Sequence, residues 1–470
     1  MLEKNQTYKV EIIDNGYQGE GIAKIDGVPV FVQGAIKGEK VEIKILKVLS
    51  NFSYGKIINI IEESAYRTKT DCNEYLKCGG CNLRHIKYEY TLKIKKAMVE
   101  NCLYKALDRE VKVNDVIGME NPLHYRNKLQ YPVGLDKNNK PVMGVYSQRS
   151  HDIVPVNNCY IQNEECNKIA NDIFEFIKQN NISVYNEKTL KGTVRHIIIR
   201  IGVRTGEILV TIVVNDNKLS KEQELVKYLI EEHPNIKSIV ENYNNKNTNV
   251  ILGDKNKVIY GNGHIYDILG DYKLKISPLS FYQVNPIQTE ILYNTGIKFA
   301  TSNELNNAKK DTVALDLYCG IGTIGIFAAK NFKKVYGIEI VEQAIEDAKE
   351  NAKINNLDNT EFYAGDVEKV LPEILNKIEN KPEVVFVDPP RKGLDNKTIE
   401  VLKELTPKRI IYISCNPATL ARDLGLLEEK YDIQEIQPVD MFPYTSHVEC
   451  CVLLYLKFWC NSPIWCFNTL

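Results

Sequence analysis

Residues 312–325 read TVALDLYCGIGTIG, an apolar strand-like run that ends in a glycine-rich turn. Gly320, Gly322 and Gly325 have the spacing G-x-G-x-x-G directly after that run. Glycine lets backbone approach a bound ligand closely, and such a turn after a strand is typical of nucleotide sites. Glu339 lies at the end of the next strand-like run, where a carboxylate can accept hydrogen bonds from ribose hydroxyls. The stretch therefore predicts a ligand site at the end of a first parallel strand.

Strand-like and helical patterns alternate regularly from about residue 312 onwards. The strand-like runs are TVALDLY, KVYGIEI, TEFYAGD, EVVFVDPP and RIIYISC, and helical patterns separate them, one of them over 341–355. Alternation of this length predicts a doubly wound parallel sheet, a Rossmann-like α/β fold. Ligands in such sheets bind beyond the carboxyl ends of the strands.

The glycine turn alone fits two cofactors, because nicotinamide dinucleotides and S-adenosylmethionine share an adenosine ribose. Asp316, Asp366 and Asp388 lie at further predicted strand ends. A carboxylate beside the turn disfavours a pyrophosphate and suits the cationic sulfonium of S-adenosylmethionine. Each carboxylate could instead cap a helix, but the agreement between several strand ends favours S-adenosylmethionine.

A thiol and a carboxylate follow at the same predicted edge of the sheet. Cys415 ends the fifth strand, and the helix predicted from about Pro417 should stabilise its thiolate. Glu449 begins the last strand, which is expected to return beside strand five. A thiolate and a base around a methyl donor suit methylation at pyrimidine C5, with addition of sulfur at C6. A core cysteine and a surface carboxylate are the structural alternatives.

The N-terminal part of the chain has a different pattern. Residues 7–61 contain five short strand-like runs separated by turns, which predicts a small oligonucleotide-binding-like barrel that either binds RNA or serves as a spacer. An α+β middle part follows, with a helix over Tyr88–Leu107 and one amphipathic helix around 164–179. Its cationic groups around Arg126, Arg195 and Arg200 could meet phosphates or lie at solvated strand ends.

Composition and charge place the chain among ordinary globular proteins. Its 470 residues suggest about three domains. Hydrophobic residues at 44% and charged residues at 26% exclude disordered and fibrous classes. Because 60 Lys and Arg stand against 61 Asp and Glu, any nucleic-acid surface must be local. The N-terminus lacks a signal-peptide pattern, so we expect a cytoplasmic protein without a membrane partner.

Cysteine spacing indicates a metal site, since cytoplasmic thiols stay reduced. Cys72, Cys78 and Cys81 have the spacing C-x5-C-x2-C, and Cys159 comes much later. Four thiolates could hold zinc or a four-iron cluster, and the chemistry leaves that choice open.

With these residues placed, the chain resembles the RNA 5-methyluridine methyltransferases from residue 7 to about 457. The likeness is to the 23S ribosomal RNA branch, which has an N-terminal TRAM barrel and an iron-sulfur cluster. The segments that carry it are SFYQVN at 280–285, the turn over 316–322, DPPRKG at 388–393, SCNP at 414–417 and HVE at 447–449.

The resemblance implies roles for individual residues. Cys415 would be the nucleophile and Glu449 the general base. The matching S-adenosylmethionine contacts are Gln283, Tyr318, Glu339, Asp388 and, more weakly, Asp366. The matching ligands of a [4Fe-4S] cluster are Cys72, Cys78, Cys81 and Cys159.

The resemblance also implies the domain order. Residues 1–61 would be the TRAM barrel, 62–271 the middle domain with the cluster, and 272–457 the Rossmann-like class I methyltransferase domain, with 93–124 packing against that last part. Residues 458–470 form an atypical tail with no functional interpretation.

Several alternatives remain at this point. Cytosine C5 methyltransferases typically carry a second cysteine in the strand-four motif, which here is Asp388-Pro389-Pro390, so uridine is favoured. The RNA partner is expected to be 23S rRNA, with tRNA as the alternative, and no obligate protein partner is indicated. A non-catalytic iron-sulfur RNA-binding protein and a nicotinamide-dependent oxidoreductase are the other classes considered.

Overall fold

The computed structural model describes residues 2–148, 150–215, 218–302, 312–378 and 380–457, so the tail 458–470 lies outside the described residues. The chain divides into two compact units. Unit 1 comprises Met1–Lys95, Val116–Glu290 and Asp440–His447, and unit 2 comprises Lys96–Asp115, Ile291–Val439 and Val448–Leu470. None of the helices within the described ranges is long and apolar enough to cross a membrane.

The N-terminal part of unit 1 is a sheet of six short strands. They are β1 (Thr7–Glu11), β2 (Asp14–Asn15), β3 (Gly21–Ile25), β4 (Val28–Gln33), β5 (Lys40–Val48) and β6 (Ser53–Glu62), in the order β1-β5-β6-β4-β3-β2. Alternate residues such as Val30, Val32, Val41 and Ile43 are fully buried, as the period of a half-buried strand requires. The sequence predicts five strands here, and the structure adds the two-residue strand β2.

A mixed sheet flanked by helices forms the rest of unit 1. Helix α1 (Tyr88–Leu107) precedes the sheet with the bounds that the sequence predicts, and its residues from Lys96 onwards belong to unit 2. The sheet order is β13-β12-β11-β10-β7-β8-β9, and a separate pair is β14-β15. The strands are β7 (Lys128–Leu135), β8 (Pro141–Tyr146), β9 (Ile153–Pro155), β10 (Val194–Ile201), β11 (Ile208–Val214), β12 (Ile236–Tyr243), β13 (Lys255–Gly261), β14 (Ile265–Leu269) and β15 (Tyr272–Ile276).

Two helices pack with this sheet, where the sequence analysis expects one. Helix α2 (Glu164–Gln179) begins at Asn163, whose side chain accepts hydrogen bonds from two backbone N–H groups of the first turn. Its residues Ile169, Ile173 and Ile177 lie on one buried face. The additional helix, α3 (Glu222–Glu232), has only 11 residues, so its short apolar stripe is easily read as part of the strand-rich surroundings.

Unit 2 is built on a second seven-stranded sheet in the order β18-β17-β16-β19-β20-β22-β21. Its strands are β16 (Val313–Leu317), β17 (Lys334–Glu339), β18 (Thr360–Ala364), β19 (Val384–Val387), β20 (Arg409–Ser414), β21 (Tyr431–Val439) and β22 (Glu449–Leu456). The helices are α4 (Pro286–Thr301), α5 (Thr323–Ala328), α6 (Glu342–Ile354), α7 (Val367–Leu375), α8 (Asn396–Leu405) and α9 (Pro417–Leu427).

Strands β16 to β20 are mutually parallel, as the alternation of the sequence predicts. Every residue of β16 and β19 is buried, which is typical of parallel strands covered on both faces. The segment Lys96–Asp115 belongs to this same unit, and its residues Val99 and Leu103 are part of the unit's apolar core.

The last strand, β22, reverses direction and pairs antiparallel with β20. Ser414, the last residue of β20, lies opposite Cys450, the second residue of β22. The pairing therefore brings Cys415 and Glu449 to the same edge of the sheet, where the carboxyl ends of the parallel strands also lie.

Candidate active site

The turn after β16 has the backbone conformation that its glycines permit. Gly320 and Gly322 have φ of 54° and 79°, and Tyr318 also has a positive φ, of 65°. A Cβ at Gly322 would lie 2.8 Å from the Phe362 ring, so a larger residue would not fit there. The turn is thus a tight cradle whose backbone is accessible to a ligand.

The Glu339 side chain is hydrogen-bonded to the backbone of this turn. One of its carboxylate oxygens accepts a hydrogen bond from the Gly320 N–H at 3.2 Å, and the other accepts one from the Val341 N–H at 3.0 Å. The other predicted cofactor residues at this edge are Tyr318, whose hydroxyl lies 3.0 Å from the Thr398 hydroxyl, and Asp366, which pairs with Lys369 at 2.6 Å. The Glu339 carboxylate therefore lies directly beside the glycine turn.

Asp316 lies beneath the turn and is completely buried. Its Oδ2 accepts a hydrogen bond from the Gly325 N–H at 2.7 Å, whereas Oδ1 has no hydrogen-bond partner among the described residues. Burial raises the pKa of Asp316 to about 8, and the nearby charges of Asp388 and Glu339 act in the same direction. A cation bound near the Asp316 carboxylate would offset the free-energy cost of burying its negative charge. The site therefore fits a cationic sulfonium better than an anionic pyrophosphate.

Cys415, Glu449 and Asp388 form one electrostatically coupled group. Burial raises the pKa of Glu449 to about 8, and the Asp388 charge contributes to that rise. Burial also raises the pKa of Asp388 to about 7. Because the Asp388 charge acts on both Glu449 and Cys415, and the Glu449 charge acts on Cys415, the structure brings together three residues that the sequence places far apart in the chain.

The Cys415 thiol differs from the expectation of a helix-stabilised thiolate. Burial raises its pKa to about 11, and the charges of Glu449 and Asp388 add to the rise. Helix α9 does begin at Pro417, as predicted, but desolvation and two carboxylates outweigh the helix terminus. This shift favours the thiol form of Cys415 over the thiolate.

Arg391 opposes this effect; it is included in the segment DPPRKG at 388–393 but is given no role of its own in the sequence analysis. Its positive charge lowers the pKa of both Cys415 and Glu449, although it does not outweigh burial. The signal that could have identified it is its place directly after Asp388-Pro389-Pro390, at the end of a parallel strand.

The loop that carries Arg391 is held against helix α9. The Arg391 carbonyl accepts hydrogen bonds from the Asn416 amide at 3.0 Å and from the Thr419 hydroxyl at 3.2 Å. Asp423 is fully buried, and its Oδ2 accepts hydrogen bonds from the Leu394 N–H at 2.8 Å and from the Tyr412 hydroxyl at 2.6 Å. These contacts link the backbone around Arg391 to the helix that follows Cys415.

Gln283, the remaining predicted cofactor residue, belongs to unit 1. Its carbonyl accepts a hydrogen bond from the Asn127 amide at 3.0 Å, and its side chain is half-buried. The neighbouring Asn285 is fully buried and donates to the Met441 carbonyl at 3.0 Å, so the 280–285 segment is firmly held within its unit.

The four predicted cluster ligands line one cavity of about 410 Å³ in unit 1, namely Cys72, Cys78, Cys81 and Cys159. Burial raises the pKa of Cys78 to about 11 and that of Cys81 to about 12, and the neighbouring thiols contribute to both shifts. Within the described ranges, no three His, Cys, Asp or Glu side chains are grouped closely enough to hold a single metal ion.

Cations line the same cavity. Arg84 is only 5% exposed, and its Nη1 has no hydrogen-bond partner in the described part of the chain, nor has the buried Nε of Arg126. Lys128 also lines the cavity, and burial lowers its pKa to about 7. Unsatisfied buried N–H donors beside four thiols fit an anionic occupant.

Two of the cationic groups noted in the sequence do not form a phosphate-binding surface. Arg195 and Arg200 are buried and donate hydrogen bonds at 2.6 Å to the carbonyls of Asn244 and Ser280. They satisfy backbone groups inside unit 1, because a buried guanidinium must find acceptors.

Comparison with known proteins identifies the family. The family model described as tRNA (Uracil-5-)-methyltransferase matches residues 87–457, and the TRAM domain model matches residues 2–58. An uncharacterised RNA methyltransferase of Clostridium acetobutylicum is 48% identical over 96% of this chain and 98% of its own length. A second one, of Clostridium tetani, is 46% identical over 96% of this chain and 97% of its own length.

A solved structure is similar over nearly the whole chain. The tRNA (uracil-54, C5)-methyltransferase of Pyrococcus abyssi, in complex with S-adenosyl-L-homocysteine, has a TM-score of 0.76 and 27% identity. The match covers 95% of this chain and 100% of that chain. The family and TRAM matches confirm the predicted resemblance and the predicted fold class. The chain belongs to the S-adenosylmethionine-dependent RNA (uracil-5-)-methyltransferase family.

Proposed function

We propose that the protein methylates C5 of a uridine in 23S ribosomal RNA through a covalent adduct between Cys415 and C6 of the base. The observation that carries the mechanism is the group formed by Cys415, Glu449 and Asp388, in which a thiol and a carboxylate with strongly shifted pKa values share one sheet edge. S-Adenosylmethionine supplies the methyl group.

The chemistry requires a nucleophile because C5 of uracil is not nucleophilic by itself. The Cys415 thiolate adds to C6, and the C5=C6 electron pair moves to give an enolate that extends over C5 and O4. C5 then takes the methyl group from the sulfonium, which leaves as a neutral thioether. Glu449 removes the C5 proton, the C5=C6 double bond reforms, and the Cys415 thiolate is expelled.

The shifted pKa of Glu449 fits the role of a base, whereas the raised pKa of Cys415 opposes formation of its thiolate. A base with a pKa of about 8 can accept a proton near neutral pH and release it afterwards. Arg391 stabilises the thiolate state of Cys415, which burial alone would disfavour. The target base would have to leave its stack to reach the thiol, because C6 is shielded in a helix.

The geometry of the glycine turn supports a set of proposed cofactor contacts. Within unit 2 we assign the ribose to Glu339 and the cationic centre to Asp388, with Tyr318 and Asp366 as the further contacts that the family resemblance implies. The unpaired Oδ1 of the buried Asp316 supports a positively charged ligand in this unit.

The cysteine cavity fits a four-iron cluster with four thiolate ligands. A cubane cluster is larger than a single ion, so its ligands need not be grouped as closely as those of zinc. The volume of about 410 Å³ and the unpaired N–H groups of Arg84 and Arg126 favour such a bulky anionic group. When bound, the cluster would tie Cys159 to the loop that carries Cys72, Cys78 and Cys81. Thiolate ligation is in keeping with action in the reducing cytoplasm.

Transfer RNA is the second candidate substrate. The matching family model and the Pyrococcus abyssi structure both carry a tRNA (uracil) methyltransferase description. The barrel and the cysteine set support ribosomal RNA through the resemblance to that branch, so the two substrates must be compared directly.

Anaerobic incubation with S-adenosylmethionine and unmodified 23S rRNA or tRNA, followed by nucleoside mass spectrometry, tests the proposal. We expect 5-methyluridine in the rRNA alone. Product in the tRNA alone would move the substrate to the second candidate. No product in either, with the protein folded, would leave a non-catalytic RNA-binding protein as the better explanation.

The mechanism has its own test. RNA that carries 5-fluorouridine at the target should trap the enzyme covalently, because fluorine cannot leave as the proton does. Cys415→Ala should form no adduct while still binding S-adenosylmethionine, and Glu449→Gln should accumulate adduct on ordinary RNA. Methylation by Cys415→Ala would contradict the nucleophile assignment.

A further inference from the structure

The outer face of the N-terminal sheet carries aromatic and cationic side chains together. In the β4–β6 pairing Phe31 lies opposite Tyr54, and Gln33 lies opposite Lys56. Lys44 of β5 in turn lies opposite Lys56. The alternate residues Val30 and Val32 point into the core, so this second set faces outward.

The aromatic side chains of this face form a cluster. The Phe31 and Tyr54 rings have centroids 6.0 Å apart and planes tilted by 40°. Phe52 meets both rings edge-on, at 5.5 Å from each. Such contacts hold the rings in defined orientations, so the face that they present to solvent is preorganised.

A cavity of about 420 Å³ lies over these rings. Its opposite wall contains Gly79 and Asn82, which flank Gly80 and Cys81 in the cysteine loop, together with Gln148. The Gly79 N–H donates to the Tyr146 carbonyl at 3.3 Å, and the Gln33 amide donates to the Gln148 side chain at 2.6 Å. Sheet, cysteine loop and the 146–148 segment therefore form one cavity within unit 1.

The residues that line this cavity indicate which kind of ligand it can bind. Phe31 and Tyr54 contribute aromatic rings to the lining, whereas Gln18, Gln33 and Asn82 contribute amide donors and acceptors. No cation occurs among the described lining residues, and Glu20 contributes a carboxylate, so a phosphate is disfavoured inside. A nucleobase, with its π face and polar edge, matches both halves of the lining.

We propose that this cavity binds one unpaired nucleobase of the RNA substrate, stacked on Phe31 and Tyr54, while Lys44 and Lys56 on the same face contact the adjoining phosphates. The site is separate from the one that accepts the target uridine. It implies that the substrate presents a second single-stranded nucleotide outside the catalytic unit. The inference rests on the proposed RNA methylation and deepens it.

The test is the affinity of the full-length protein for fluorescein-labelled oligouridine of about 10 nucleotides, a length within the range that such barrels cover. Phe31→Leu and Tyr54→Leu keep an apolar side chain but remove the ring face, and we expect each to weaken binding about 10-fold or more. Tyr54→Phe keeps the ring and should bind within about 2-fold of the original protein.

Ile58→Ala is the matched control, since Ile58 is 54% exposed on the same strand β6 and does not line the cavity. Thermal unfolding of every variant establishes that it folds. The apparent KM for the RNA that the original enzyme methylates should rise with the dissociation constant of the Leu variants.

Equal affinity of the Leu variants and the original protein would overturn the inference. The inference would also be overturned if Lys44→Gln and Lys56→Gln weakened the binding of oligouridine while the Leu variants did not. The face would then bind phosphates alone. Failure of the original protein to methylate any RNA would instead refute the proposed function, so the two failures are distinguishable.

Discussion

Together with burial, which is the larger cause, the charge of Asp388 raises the pKa of Glu449, which lies at the start of the antiparallel strand β22. With a pKa of about 8, Glu449 is mostly protonated at pH 7. Its function as a base then requires its ionised fraction to increase with pH. We expect the rate at which the methylated adduct is converted to free 5-methyluridine RNA to rise with pH up to at least about 8, the pKa of Glu449.

This pH dependence is measured in single-turnover reactions at saturating RNA and S-adenosylmethionine. In Glu449→Gln the covalent adduct should form readily, because removal of the carboxylate lowers the pKa of Cys415. A rate that falls steadily from acidic pH to pH 8 would contradict the assigned base.

Arg391→Met should raise the pKa of Cys415 further, because it removes a positive charge that lowers it. Each unit of pKa lowers the thiolate fraction at neutral pH about tenfold, so we expect a loss of about that size in the rate of adduct formation. The measurement is trapping by 5-fluorouridine RNA as a function of pH. Arg391→Lys, which retains a charge, should recover part of the rate, and an unaltered pH profile in Arg391→Met would refute the role.

Buried Asp316 should make stability depend on pH. Its pKa in the folded protein is about 8, above the ordinary value of 3.8, so the folded state holds the proton more tightly. The free energy of unfolding should therefore fall as pH rises from about 4 to about 8, by at most about 1.4 kcal/mol per pH unit. Urea unfolding at several pH values measures this. Asp316→Asn should weaken the dependence of the free energy of unfolding on pH over the same pH range.

Gly393→Ala should destabilise unit 2 by about 2 kcal/mol or more, because two costs combine there. Gly393 has φ of 76°, and an added Cβ would lie 2.5 Å from Oδ2 of buried Asp423. Gly27→Ala is the control, since Gly27 has φ of 80° but nothing within 4 Å of the added Cβ. Urea unfolding should show a larger loss for Gly393→Ala, and equal losses would show that the contact with Asp423 is unimportant.

Lys95→Met should destabilise the protein by about 3–5 kcal/mol, since it leaves a buried carboxylate without its partner. Lys95 and Asp440 are both fully buried, 2.5 Å apart, and the Tyr88 hydroxyl also donates to Asp440 at 2.9 Å. Lys96→Met is the neighbouring control, because its partner Asp115 is 95% exposed and surface pairs contribute little. Similar urea-unfolding curves for the two variants would contradict the importance of the buried pair.

Much of the fold could be predicted because local pattern determines it. Helix α1 has the predicted bounds. The parallel direction of β16, β17 and β19 follows from the alternation of strands and helices. Helix α3 was overlooked because its apolar stripe is short. The strand β2 has two residues, too few to give a periodic signal.

The sequence predicts which residues form the candidate site better than it predicts the pKa values of those residues. The sheet edge shared by Cys415 and Glu449 follows from the expected return of the last strand. The raised pKa of Cys415 could not be predicted, because it depends on desolvation and on carboxylates that come from distant segments. For the same reason, the influence of Arg391 on Cys415 and Glu449 became apparent only with the structure.

The division of the chain into interleaved segments has a consequence for how the protein is made. Unit 1 needs Asp440–His447, which the ribosome supplies only after almost all of unit 2 has been synthesised. Lys95 can therefore pair with its buried partner Asp440 only after the 345th residue beyond it in the chain has been synthesised. Contacts of such sequence separation form slowly, so neither unit can complete its packing before synthesis is nearly finished. No single cut in the chain releases either unit intact.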